Sequence, residues 1–257
     1  VKFIRKNEGL RQSVRFHRGM FYLESPDSDG RTTVPVTQIG KGAFSRAFLT
    51  NTGTPSVYLI TREETKYPDY SKRMLSDLME DGETSPYLPK VTAVGCLVSG
   101  ECVYRMPFYR VPLRKGDSAV AWSEYRLLKS CIEEAWKTLW SQKMRPVRGD
   151  YSGEFIRSEV IDCVERAIDN IKDDPRLEYW AAMDQVLRLT ELARALTLLS
   201  DKTHDYGSNH YLFEFAPRNL GTTDDGQLIL LDTVFNRKSI SDRIEDKRRQ
   251  APLFRGW

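Results

Sequence analysis

Glu214 is followed five positions later by Asn219, and a turn-rich stretch then leads to Asp232 inside Leu230-Leu231-Asp232-Thr233-Val234-Phe235. Phosphoryl transfer accounts for these residue types. One carboxylate orients an acceptor hydroxyl, while an amide oxygen and a second carboxylate hold Mg²⁺ against nucleotide phosphates. The plain alternative is a surface loop followed by a turn-flanked strand. Far upstream, Ile39-Gly40-Lys41-Gly42-Ala43-Phe44-Ser45 lies between two strand patterns. Glycines at such a point let the backbone close over phosphates with its N–H groups available. Taken alone, the same glycines read equally as an ordinary hairpin turn.

Two kinds of element must position these groups. The first third of the chain alternates in the manner of strands at 20–24, 34–39, 47–50, 57–61, 91–98 and 102–108. Between the fourth and fifth runs, Met74, Leu75, Leu78 and Met79 fall at helical spacing over 70–81, with Gly82 placed as a C-terminal cap. From Ser118 the texture changes to amphipathic helices over 118–142, 152–171 and 175–200. A short hairpin follows over 221–234, turning at Asp224-Asp225-Gly226, and 236–257 reads as a basic, poorly periodic tail that docks a partner or is merely solvated. The pattern predicts an α+β chain of two parts, 1–109 a sheet with one helix and 110–257 mainly helical.

In this order the chain resembles the protein kinases. A glycine loop between the first two strands, then a strand, a helix and two more strands, is their small-lobe order, and a carboxylate, an Asn five residues on, a hairpin and an Asp are their catalytic spacing. The resemblance runs from Thr37 to Phe235, with its motifs in three short segments. It implies a bilobal kinase-like fold that uses ATP and Mg²⁺. Residues 1–109 would be the nucleotide-binding lobe and 110–257 the lobe with the catalytic loop. Glu214 would orient the acceptor, and Asn219 and Asp232 would be the metal ligands. Ile39, Gly40, Gly42, Phe44 and Ser45 would line the phosphate loop. Cys102-Val103-Tyr104-Arg105-Met106-Pro107-Phe108-Tyr109 would run into the interlobe connection. Met106 would then be the gatekeeper, Pro107 would offer adenine its carbonyl and Tyr109 its N–H, so the proline removes no needed donor. Met106 and Phe108 read equally as core residues at a strand end.

Four departures from the kinase pattern stand out. The third strand carries Ile60 where kinases carry a phosphate-binding lysine, with Arg62 two residues on and on the same face. The helix places Ser71 or Lys72 where the answering glutamate belongs. Losing both partners avoids a buried unpaired charge, and Lys72 could replace the lysine from the helix; the ordinary alternative is a solvated Lys72 and Arg73. Glu214 replaces Asp, with Leu212 and Phe213 in place of the usual preceding His and Arg. A displacement of about 1 Å can cost roughly 100-fold in rate. Finally, Asp232-Thr233-Val234 replaces Asp-Phe-Gly and leads into a short ending. That ending resembles the compact serine/threonine kinases of some bacteriophages, whereas Ala216 and Arg218 sit at offsets resembling tyrosine kinases.

Bulk properties exclude little but agree. Hydrophobic residues at 40% and charged residues at 29% describe an ordered globular chain, and a net charge of +3 gives no reason to expect nucleic acid. No run approaches the roughly 18 apolar residues of a membrane span, and residues 1–12 do not read as a signal peptide, so a cytoplasmic site is expected, the host cytoplasm for a phage protein. Cys96, Cys102, Cys131 and Cys163 form no C-x-x-C pair and read as reduced thiols, with a Cys96–Cys102 hairpin disulfide as the alternative. His17, His204 and His210 lack zinc-site spacing. The expected function is an ATP-dependent protein kinase acting on a protein substrate or host protein, Ser/Thr rather than Tyr. The alternatives are a pseudokinase acting as a binding module, and a small-molecule phosphotransferase of aminoglycoside-kinase type. The last would need an acidic pocket, for which 159–165 is the candidate lining.

Overall fold

The computed structural model describes residues 14–24, 31–42, 45–51, 53–63, 70–97, 99–141, 152–206 and 210–250. The fold is α+β and divides into two compact units, Val1–Ser76 with Lys90–Phe108, and Asp77–Pro89 with Tyr109–Trp257.

The first unit is built on one antiparallel sheet of seven strands, β1 (Val14–His17), β2 (Met20–Glu24), β3 (Arg31–Lys41), β4 (Ser45–Thr50), β5 (Ser56–Thr61), β6 (Thr92–Cys96) and β7 (Cys102–Pro107), in the order β1-β2-β3-β4-β5-β7-β6. Helix α1 (Ser71–Glu80) follows β5, and the division between the units falls inside it. Aromatic and branched residues build the core of the sheet. Phe21, Val36, Phe48, Tyr58, Ile60 and Val103 cluster, with Phe21 stacked on Tyr58 at 5.0 Å between ring centroids and edge-on to Phe48. All six residues of β5 are buried, so this strand is covered on both faces.

The second unit carries three long helices, α2 (Ala119–Ser141), α3 (Ser152–Lys172) and α4 (Tyr179–Asp205). Their buried residues recur every three or four positions: Ile156, Val160, Val164 and Ile168 on α3, and Leu189, Leu192, Leu196 and Leu199 on α4. α4 starts later than the sequence pattern predicts, because the Asp174 side chain accepts from the Arg176 N–H and holds 174–177 as a turn. After α4 come two small antiparallel pairs. β8 (Tyr211–Phe213) pairs with β11 (Val234–Asn236), and β9 (Leu220–Thr222) pairs with β10 (Leu228–Leu230) across a turn in which Gly226 has φ 86°.

Within 236–257, read as a basic, poorly periodic tail, residues 237–250 form helix α5 (Arg237–Gln250). Asn236 starts it by accepting the Ser239 N–H through Oδ1 at 3.1 Å, as an N-cap does. No helix among the described residues is long and apolar enough to cross a membrane.

Candidate functional site

In the second unit Glu214 leaves the end of β8, and Asp232 stands just before β11. Pairing of these strands brings the Glu214 N–H onto the Thr233 carbonyl at 2.8 Å. Pro217–Asn219 then make a single 3-10 turn, where proline's fixed φ suits the first position, and the Asn219 N–H closes it on the Ala216 carbonyl at 2.8 Å. The Asn219 carbonyl accepts the N–H groups of both Leu231 (3.1 Å) and Asp232 (3.0 Å), and its Nδ2 donates to the Glu214 carbonyl at 3.5 Å. Backbone bonds and the Asn219 side-chain amide thus join the three polar residues that the sequence spacing singled out. Asn219 is buried, while Glu214 and Asp232 are partly exposed. The Glu214 carboxylate is already engaged by the guanidinium of Arg218, one helical turn on and itself exposed.

The loop is pinned from two sides. The Leu113 N–H bonds the carbonyls of Pro217 and Leu220 at 3.1 Å each, and Arg110 bridges Thr222 in both directions. Beneath β8 lies Arg157 of α3, fully buried, donating through Nε to Ser200 Oγ at 3.1 Å and through Nη1 to the Tyr211 carbonyl. No carboxylate is ion-paired with it among the described residues, its Nη2 has no partner, and burial pulls its pKa below the usual guanidinium value.

In the first unit the glycine segment straddles the β3–β4 turn. The register slips between Gln38 and Gly40, leaving Ile39 as an extra, exposed residue of a bulge. Gly42 donates to the Ser45 carbonyl at 2.7 Å, and Phe44 lies outside the described residues. Neither Gly40 nor Gly42 has positive φ, and a Cβ on either would make only ordinary contacts, 3.7 Å to Ala47 Cβ and 3.5 Å to Ser45 Oγ. A glycine-dependent turn does not account for them.

Ile60, at the position of the expected lysine, is buried in the sheet core. Arg62 is exposed and lies 3.5 Å from Glu101, which also holds Arg46 at 3.1 Å. Lys72 is not a solvated helix charge: only 6% of it is exposed. Met106 and Pro107 close β7 opposite Val57 and Ser56, Met106 half-buried and Pro107 exposed, while Tyr109 is buried and opens the second unit.

Sequence reasoning missed a buried polar cluster around Glu63. Glu63, 2% exposed, accepts from the hydroxyls of Tyr104 and Thr61, and its Oε2 stands 3.8 Å from Arg73 Nη1, an ion contact longer than a hydrogen bond. Burial raises the Glu63 pKa, though Tyr104, Arg73, Cys102 and Thr61 all act to lower it. Burial and the adjoining carboxylate push the Tyr104 phenol up strongly. The available signal was a charged residue two positions after Thr61, at the end of a strand otherwise free of charge.

The other expectations resolve locally. Of the acidic residues in 159–165, Asp162 and Glu165 are exposed on α3 and Glu159 is partly exposed. All four cysteines are free thiols, and among the described residues no group of three His, Cys, Asp or Glu gathers as a metal site. No protein-family model matches the chain, and no curated protein matches its sequence.

Proposed function

We propose that the chain is an ATP-dependent protein kinase that passes the γ-phosphate to a serine or threonine hydroxyl of a protein substrate. The observation that carries the reading is the hydrogen-bonded set of Glu214, Asn219 and Asp232, two carboxylates and an amide joined through one short loop and its hairpin. In this reading Glu214 orients the acceptor hydroxyl. Asn219 and Asp232 fit Mg²⁺ because both offer hard oxygen donors, few enough that phosphates and water complete an octahedral shell. The ion would supply charge neutralisation for the transferring phosphoryl group. Gly40 and Gly42 support it too, since bare backbone there leaves room for a phosphate to approach its N–H groups. Lys72 of α1, which is buried, and Arg62, which Glu101 holds, are the two candidates to substitute for the missing strand lysine. Met106, Pro107 and Tyr109 take the adenine-facing roles.

The Arg218–Glu214 ion pair favours a second reading, a pseudokinase that binds a host protein without turnover, because the acceptor-orienting carboxylate is already occupied. Transfer of radiolabelled γ-phosphate from ATP with Mg²⁺, with and without a cytosolic extract, separates the two. The kinase reading expects labelling of the chain or an extract protein, lost in Asp232→Ala. Absence of labelling from the folded parent would overturn it.

A further inference from the structure

Cys96 and Cys102 lie directly opposite each other at the turn end of the β6–β7 hairpin. The next residues outward, Leu97 and Glu101, share a backbone hydrogen bond of 2.7 Å. Hydrogen-bonded and non-hydrogen-bonded pairs alternate along an antiparallel ladder, so the cysteines occupy a non-hydrogen-bonded position, where opposed Cα atoms stand about 4.5 Å apart with side chains on one face. That spacing falls inside the range of about 4.4–6.8 Å that a disulfide spans. Both are free thiols. Cys96 is exposed, which gives a small reagent access, whereas Cys102 is only partly exposed and lies beside Glu63, with Thr61 Oγ1 reaching both the Glu63 carboxylate and the Cys102 carbonyl.

We propose that Cys96 and Cys102 are a reversible oxidation site, closed to a disulfide by thiol–disulfide exchange with a small disulfide such as oxidised glutathione. The Cys96 thiolate attacks one glutathione sulfur, breaking that S–S bond, forming a mixed disulfide and releasing one glutathione thiolate. Cys102 gives its proton to the Glu63 carboxylate beside it and attacks Cys96 Sγ, forming the protein disulfide and expelling the second glutathione thiolate. The protein loses two electrons and two protons, and the oxidant becomes two thiols. Closure also removes the Cys102 S–H from Glu63, so the oxidation state reaches the Glu63–Tyr104 cluster and, through Arg73, helix α1. Cys131 and Cys163 also touch, on α2 and α3, but Cys131 is fully buried and exchange there is hindered.

The test is intact mass and peptide mapping of the native chain after incubation with oxidised glutathione. The expected result is a loss of about 2 Da, reversed by dithiothreitol, with the peptides of Cys96 and Cys102 joined. Cys102→Ser should instead retain glutathione on Cys96, and Cys96→Ser should show neither change. A parent that loses no mass, or that joins Cys131 to Cys163 while Cys96 and Cys102 stay reduced, refutes the proposal.

Discussion

Gly221→Ala tests whether the loop carrying Asn219 is held as tightly as its hydrogen bonds imply. A Cβ at Gly221 would stand 2.8 Å from Leu231 Cδ1, 3.0 Å from the Arg110 carbonyl oxygen and 3.3 Å from Val111 Cγ2. The leucine can swing away. The carbonyl cannot move without lengthening its 3.0 Å bond from the Thr222 N–H and the return bond of 2.9 Å. Overpacking of this kind costs about 1–3 kcal/mol, offset by roughly 0.4–1 kcal/mol because alanine has less freedom than glycine in the unfolded chain. Mid-range values leave a net loss of about 1.3 kcal/mol, a fall in melting temperature of roughly 3–5 °C for a chain of this size. Gly116→Ala is the control, since nothing lies within 4 Å of its Cβ and its φ is not positive. Thermal melts followed by circular dichroism measure both. Equal melting of Gly221→Ala and the parent, or an equal fall in the control, refutes the packing argument. Because Gly221 is two residues from Asn219, the kinase reading adds a loss of phosphotransfer at temperatures where the variant stays folded.

Gly40→Ala and Gly42→Ala should melt within about 0.5 kcal/mol of the parent, as expected where no special contact is disturbed. Under the kinase reading they should weaken ATP-dependent labelling several-fold. Unchanged labelling would remove the glycines from the site. Glu63→Gln tests the buried carboxyl through pH. Its folded pKa is raised by burial, so its stabilising contribution is complete below the unfolded value of about 4.5 and is lost as pH rises through the folded value, about 1.4 kcal/mol for each unit between them. The variant should abolish that decline and be no less stable than the parent at neutral pH. A parent whose unfolding free energy stays level above pH 4.5, or a variant that declines equally, contradicts the assignment.

How much of this could be read from the sequence depended on the length and contrast of each pattern. β5 and β7 were legible because Val57, Leu59, Val103 and Tyr104 belong to long apolar runs bounded by turn residues. β1, β8 and β11 were not, since three or four residues hold too few alternations to distinguish a strand from a loop. α5 escaped because it is polar around nearly its whole circumference, with Ile240 and Ile244 its only aliphatic residues, although Asn236 marked its start. At the site, spacing identified Glu214, Asn219 and Asp232, but the Asn219 carbonyl that holds Asp232 is backbone chemistry, identical in every residue type. Lys72 and Glu63 show the same limit from the other side. Charge is visible in a sequence, whereas burial depends on what packs above it.

The buried guanidinium of Arg157 bears on how the second unit comes apart. Two of its donors are used on α4 and on β8, and the bond to the Tyr211 carbonyl is lost if β8 lifts away. A partial opening that strands this charge in an apolar interior is costly, whereas one that also parts α3 from α4 returns it to water. The strand leading to Glu214 should therefore exchange its amide hydrogens together with the inner turns of the helix pair, as one cooperative unit rather than as a fraying loop.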